Sequence, residues 1–178
     1  MSITIFDVGY ALWFVFPAYC ANAVPVIFGG GHPLDAGRIF FDGKPILGSH
    51  KTFQGFFSGL VVGTLVGVLQ TVLFRYVLSQ YDAQFRYDLF LGFMLSLGAL
   101  VGDLAGSFIK RRLDLPPGTS LPIADQLDFV AGALLFSLPV SPPSLLTTVI
   151  VIVITLPIHF LTNLLASLFG MKRKSRSN

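Results

Sequence analysis

Glutamate is missing from this chain, and all nine acidic residues are aspartate. A short acid held close to its backbone is a better ligand for a hard cation than a solvating surface group. Charge of either sign is scarce. Asp, Lys and Arg make up 12% of the 178 residues, where soluble domains carry about a quarter, so an ordinary soluble composition is excluded. Cysteine is represented by Cys20 alone, which rules out an internal disulfide or a cysteine zinc site and leaves a small packing residue. What fills the chain instead is apolar, with 53% hydrophobic residues and a mean hydropathy of +0.75. The expected fold class is all-α, a polytopic membrane protein forming one integral domain over residues 1–178.

Five apolar stretches emerge, at about residues 8–28, 53–78, 89–109, 125–140 and 145–170. Arg75 interrupts the second and Asp103 lies inside the third. The purely apolar part of the fourth, Phe129 to Val140, would make only about 18 Å of helix against a hydrocarbon core of about 30 Å. Either Asp125 and Asp128 begin that helix below the membrane surface, or the Ser141-Pro142-Pro143-Ser144 turn is drawn inward. At the amino terminus Ala21-Asn22-Ala23 resembles a cleavage site. There is no basic leading segment, however, and Asp7 stands in its place, which favours a retained first helix. Arg38, Lys44 and Lys51, then Lys110, Arg111 and Arg112, then Lys172, Arg173, Lys174 and Arg176 fall on one side of a five-helix arrangement, and only Arg75 and Arg86 on the other. That bias predicts a cell-membrane protein with its amino terminus outside. The loops at 29–52 and 110–124 and the tail at 171–178 would be cytoplasmic. The basic tail reads as a juxtamembrane cluster, not a nucleic-acid site.

Two helices carry glycine every fourth residue: Gly55, Gly59, Gly63 and Gly67, then Gly98, Gly102 and Gly106. Such stripes let backbones approach closely in lipid. They predict packing of the second helix on the third or, alternatively, a seam between two copies. The second stripe would also thin the protein beside Asp103, leaving room for a ligand.

Charge beside a membrane core is costly and usually serves a task. Asp103, Ser107 and Lys110 share a helix face with Arg111 beside them, and Asp125 and Asp128 share the face that opens the fourth helix. Helix-start carboxylates and simple charge neutralisation would explain one or two of these residues. Three acids and three bases converging from two helix ends point to a functional cluster. The loop after the first helix adds a Gly29-Gly30-Gly31 run and the segment Asp42 to Thr52. Glycine amides with Lys44 and Lys51 beside them suit a phosphate. The spacing from Gly43 to Lys51-Thr52 faintly approaches a Walker A loop but fails it by two residues, and no βαβ context surrounds it. His32, His50 and His159 form no ligand set. His159, near Pro157 and Asn163, is expected to hydrogen-bond within the bundle.

Several of these segments together closely resemble one family. They are Pro17 to Asn22, Asp42-Gly43-Lys44-Pro45-Ile46-Leu47-Gly48 with Lys51-Thr52, Gly102-Asp103 through Lys110-Arg111-Arg112, and Asp125-Gln126-Leu127-Asp128-Phe129. The family is that of the archaeal CDP-archaeol synthases, and the resemblance spans essentially the whole chain. It implies transfer of CMP from CTP to digeranylgeranylglyceryl phosphate, an unsaturated isoprenoid ether-lipid phosphate, with release of pyrophosphate and a requirement for Mg²⁺. More distantly, Asp103, Ser107, Lys110 and Arg111 followed by Asp125 and Asp128 are similar to the signature of bacterial phosphatidate cytidylyltransferases. The intervening Lys-Asp and His-Gly-Gly elements of those enzymes are absent here. On this reading Asp103, Asp125 and Asp128 hold the metal, and Lys110 and Arg111 meet the triphosphate or the lipid phosphate. Lys44 and Lys51 close over it. Asn22, Gly30, Gly31, Thr52, Ser107 and Arg112 contribute nucleotide contacts. Membrane lipids surround the chain, nucleic acid is not a partner, and a homo-oligomer through the glycine stripes is open. Two rivals fit less well. A CDP-alcohol phosphotransferase would need Asp-Gly-x-x-Ala-Arg, whereas Asp42-Gly43 continues Lys44-Pro45-Ile46-Leu47. A cation transporter would need polar residues along its spans, and the second and fifth are nearly pure apolar.

Overall fold

The computed structural model describes residues 3–78, 88–119, 121 and 123–168. Arg86, the basic tail and the side chains of His159 and Asn163 lie outside the described residues. Five helices follow in order: α1 Ile5–Phe28, α2 Phe53–Leu73, α3 Leu89–Arg112, α4 Ala124–Ser137 and α5 Leu145–Leu168. A π-helical turn, Phe74–Leu78, continues α2. Among the described residues there is no strand, only two isolated bridges in the α1–α2 loop. Among the described residues three stretches, Ile5–Phe28, Phe53–Tyr76 and Phe90–Arg112, are long and apolar enough to cross a membrane. The 14 residues of α4 make about 21 Å of helix, short of a bilayer core as the sequence implied.

Helix ends depart from the sequence reading for reasons of capping. α1 begins at Ile5 because Thr4 and Asp7 close a capping box, each accepting the other's amide. α3 runs on through Lys110, Arg111 and Arg112, where three cations face the negative end of the helix dipole. It stops at Asp114, whose φ is +60°. The Asp114 amide reaches the Arg111 carbonyl and the Leu115 amide reaches the Lys110 carbonyl, the Schellman pattern. The loop expected from residue 110 therefore starts three residues later, and its first carboxylate, Asp114, projects from a fixed turn.

Phe14, Val15 and Ala18 of α1, Leu91, Leu95 and Ala99 of α3, Phe129, Val130 and Ala133 of α4, and Ile150 and Val151 of α5 form one apolar core. α2 packs differently. Its four glycines are all buried, while Phe53, Phe57, Val61, Leu65 and Leu69 point outward. Small residues inside and large apolar residues outside are what a lipid-facing helix requires. A Cβ at Gly59 would meet the Ala21 carbonyl of α1 and Leu100 of α3, one at Gly63 would meet Ser96 of α3 and the Pro17 carbonyl of α1, and one at Gly67 would meet the Gly92 backbone of α3, so α2 packs on α3 as expected and on α1 as well. The α3 stripe faces the other way. Gly98 lies against the Gly132 carbonyl, Gly102 against the Asp128 carbonyl and Gly106 against the Asp128 carboxylate. The two stripes thus do not meet in one α2–α3 seam; both are covered within the chain. α4 covers the glycine face of α3, and the room expected beside Asp103 is found in a cavity that Asp103 lines together with Leu100 and Leu104.

Proline shapes α1 without breaking it. Pro17 has no amide hydrogen, so the Trp13 carbonyl lacks its helical donor. The buried Gln70 of α2 supplies one, its Nε2 donating to Trp13 O at 2.7 Å. Tyr19 and Thr155 share a hydrogen bond of 2.8 Å, which ties α1 to α5.

Candidate functional site

The α1–α2 loop is built around one acid. Asp35 is buried and accepts the amides of Gly37 at 3.0 Å and of Leu47 and Gly48 at 2.9 Å each. Burial pushes its carboxyl pKa up, but the amides of Gly48, Leu47 and Gly37 outweigh that and hold it below the ordinary value. The chain between these contacts makes a short excursion, closed by the Ile39–Pro45 bridge and by the Phe40 amide donating to the Lys44 carbonyl. Gly43 turns its tip at φ +78°. At Gly48, φ +102°, the backbone adopts a conformation that favours glycine, and a side chain would crowd Pro117.

Thr52 ends the loop and starts α2. Its Oγ1 accepts the Gly55 amide at 3.1 Å and the Gly30 amide at 3.2 Å, a helix cap that also fixes the glycine run. The Gly29 amide returns to the Pro25 carbonyl. These amides, which the sequence offered to a phosphate, are engaged within the protein.

Two groups of ion pairs tie this loop to α3 and the turn after it, and α3 to α4. In the inner group Lys51 Nζ lies 2.5 Å from Asp103 Oδ2, and Lys110 Nζ lies 2.7 Å from Asp125 Oδ1. Asp125 Oδ2 also accepts the Leu121 amide at 3.0 Å. In the outer group Lys44 pairs with Asp114 at 2.7 Å and donates to the Arg112 carbonyl at 3.1 Å. Arg112 Nε lies 2.9 Å from Asp42 Oδ2, and a terminal nitrogen donates to the Pro45 carbonyl at 2.5 Å. The Arg112 guanidinium sits 4.9 Å from the Phe40 ring centre and 4.5 Å from that of Phe108, within cation–π range.

The inner pairs line a cavity of about 570 Å³. Its lining mixes polar residues, among them Asn22, Ser49, His50 and Thr52, with apolar ones, among them Val26, Phe56, Leu100 and Leu104. A smaller cavity of about 140 Å³ adjoins it, sharing His50, Lys51, Lys110 and Asp125 and adding Arg111, Gly118 and Thr119. Arg111 is 4% exposed and its Nε–H has no hydrogen-bond partner. Three cations against two carboxylates give these walls an excess of positive charge suited to a polyphosphate.

The site residues expected from sequence therefore divide. Asp103, Lys51, Lys110, Asp125, Asn22, Gly30 and Thr52 line the large cavity and Arg111 the small one. Lys44 and Arg112, expected over the nucleotide, instead form the outer pairs and line neither cavity, because α3's longer last turn brings Arg112 against the loop tip. Gly31 and the buried Ser107 line neither. Asp128 also lines neither; its Oδ1 accepts the Phe129 amide at 2.6 Å and its carboxylate rests on Gly106. Among the described residues no three His, Cys, Asp or Glu side chains stand close enough to hold a metal ion by themselves. The expected three-Asp set is not assembled, since lysines engage two of its members. Oxygen donors of the right kind are nevertheless present, and Mg²⁺ commonly binds through one or two carboxylates plus substrate phosphates. Sequence reasoning passed over Asp35, although Asp35-Ala36-Gly37 is an Asx-turn pattern. It also passed over His50, which lines both cavities.

Apolar helices of spanning length around a cation-rich cavity define an intramembrane protein equipped for phosphate-bearing substrates. Comparison with known proteins makes that particular. Residues 4–175 match the CarS-like family, CDP-archaeol synthase. The CDP-archaeol synthase of Pyrococcus furiosus is 47% identical over 165 residues, covering 93% of this chain and 95% of the relative. That of Methanocaldococcus jannaschii is 43% identical, covering 91% and 93%. A solved structure of an intramembrane enzyme for archaeal membrane lipids biosynthesis superposes with a TM-score of 0.74 at 35% identity, covering 86% of this chain and 92% of that one. The chain belongs to the CDP-archaeol synthase family, whose members are cytidylyltransferase enzymes of the membrane.

Proposed function

We propose that this chain transfers CMP from CTP to the phosphate of digeranylgeranylglyceryl phosphate, forming CDP-archaeol and pyrophosphate. The observation that carries the reading is a cavity of mixed lining. Its polar residues Lys51, Lys110, Asn22 and Thr52 suit the nucleotide, and its apolar residues Val26, Phe56, Leu100 and Leu104 suit the first isoprenoid units. The lipid phosphate has a second pKa near 6, so it is largely ionised at neutral pH and needs no general base. Its oxygen attacks the α-phosphorus of CTP in line; the new P–O bond forms as the bond to the β-phosphate oxygen breaks, and pyrophosphate leaves with the bonding pair. The barrier is the approach of two polyanions, and the protein's share is position and positive charge. Lys51 and Lys110, released from Asp103 and Asp125, meet the triphosphate. Arg111 offers its unpaired N–H to the departing phosphates.

Asp103, Asp125 and Asp128 would hold Mg²⁺ together with substrate oxygens, and the ion would supply further charge neutralisation. Exchange of a lysine partner for a phosphate is the event that would free the carboxylates. We propose five spans, with the amino terminus outside and the loops at 29–52 and 113–123 on the cytoplasmic side. The Lys and Arg distribution supports this. So does the contact of the α1–α2 loop with the end of α3, which requires both on one side. A homo-oligomer would use the outer helix faces, because the glycine stripes are covered.

The test is the purified protein in detergent with labelled CTP, Mg²⁺ and digeranylgeranylglyceryl phosphate. Formation of CDP-lipid with stoichiometric pyrophosphate is expected. Absence of turnover with that lipid overturns the reading, and metal flux into proteoliposomes would replace it with transport.

A further inference from the structure

The loop excursion 38–46 has one polar edge and one apolar tip. Its polar edge is spoken for, with Asp42 against Arg112 and Lys44 against Asp114. Its tip is bare: Ile39 is 66% exposed and Phe41 fully exposed. The tip does not stand apart from the helices. Phe41 packs edge-on to Phe40 at 5.0 Å between ring centres, and Phe40 packs edge-on to Phe108 of α3 at 5.2 Å. Ile109 and Leu113, next to Phe108 and Arg112 on the same final turns, are themselves largely exposed. The apolar surface of the tip is thus continuous with the outward apolar surface of a helix long enough to span a bilayer.

We infer that Ile39, Phe40 and Phe41 insert into the headgroup–acyl boundary of the bilayer beside the end of α3, anchoring the α1–α2 loop to the membrane surface. An apolar wedge flanked by a cation is the composition of an interfacial anchor. The exposed Arg38 stands at the base of this wedge, where anionic headgroups would meet it. Arg112 lies between Phe40 and Phe108 with its charge directed to Asp42, as a long basic side chain does at a membrane interface. Three residues offer far less surface than a stable protein interface of about 1,200 Å² or more, so a second copy is a poor occupant. A lipid surface has no such threshold, because the helices already hold the chain in place. The inference depends on α3 crossing the membrane and is independent of which substrates the cavity takes.

The test uses Phe41→Trp in the full chain reconstituted into phospholipid vesicles, with the emission of Trp13, measured in the parent protein, subtracted. Emission at position 41 should be blue-shifted, strongly quenched by lipids brominated in the upper acyl chain and little changed by aqueous iodide. Quenching by iodide without quenching by bromolipid places the tip in water and overturns the inference. Protection from both places it under protein and overturns it equally. A nitroxide on Phe41→Cys in a Cys20→Ala chain gives a second, independent readout: collision with dissolved oxygen must exceed collision with a water-soluble nickel chelate. The reverse order would sink the proposal even if the tryptophan variant were poorly folded.

Discussion

Two pairs of salt bridges gather around the last turns of α3, yet they differ in what surrounds them. Lys51–Asp103 and Lys110–Asp125 lie on cavity walls, beside open volume and beside the unpaired Arg111 N–H. Lys44–Asp114 and Arg112–Asp42 line neither of the two cavities; backbone carbonyls and aromatic rings surround them. The outer pairs are enclosed by protein and hold the loop, although Arg112 keeps Nε and one terminal nitrogen without a hydrogen bond. The inner pairs face open volume, and on the proposed function a polyphosphate would take the lysines and release the carboxylates. Similar charges at similar distances thus do opposite work, and neighbouring space decides which.

The sharpest way to break this contrast is to pull apart the surface on which both inner carboxylates hang. Gly102→Val drives a side chain into the Asp128 backbone and should cost about 3 kcal/mol or more, seen as loss of monodisperse protein and of the thermal transition in detergent. Next comes chemistry without loss of fold. Lys51→Met and Asp103→Asn should each lower kcat/KM by about a hundredfold while the melting transition moves by no more than about 1 kcal/mol. Equal losses of stability and activity would show these pairs to be structural.

The outer pairs should respond more weakly. Asp42→Asn and Arg112→Met should raise KM a few-fold at nearly constant kcat, with a coupling of about 1 kcal/mol in a double-mutant cycle. A hundredfold fall in kcat from Arg112→Met would return that residue to the nucleotide. The smallest effect concerns Asp35. Its pKa is lowered in the folded loop, so its contribution to stability is present above the unfolded carboxylate range, near 3.9, and is lost as pH falls through the lower folded value. The stability difference between the parent and Asp35→Asn should therefore be constant at neutral pH and shrink as pH falls below about 4. A difference that instead grows on acidification would reverse the assigned sign.

Much of this was legible beforehand because bilayer physics leaves few choices. Apolar length marks α1, α2 and α3. The shortness of α4 was visible, and Asp103, Lys110 and Asp125 were identifiable as charges next to apolar spans. Partners were not legible. Glycine spacing announces a close approach but not to what, and the α3 stripe turned to α4 rather than α2. Lys44 and Lys51 look equivalent in sequence, both basic residues in a glycine-containing loop. The Asp35 anchor and the Schellman turn at Asp114 separate them, sending one to the latch and the other to the cavity. Arg112 was misread for the same reason: adding one helical turn to α3 rotates three consecutive bases onto three different surroundings.

The hydrogen bond from Gln70 to the Trp13 carbonyl acts as an index pin. A helix striped with glycine is free to slide along its neighbour, because a shift of one turn, about 5.4 Å, replaces one glycine with the next. Pro17 limits that freedom by withholding a helical donor from the Trp13 carbonyl, which Gln70 of α2 meets. Lys51 stands just ahead of α2 and Asp103 in the second half of α3. A proline near the middle of α1 therefore sets, from a distance, how deep that lysine reaches into the site.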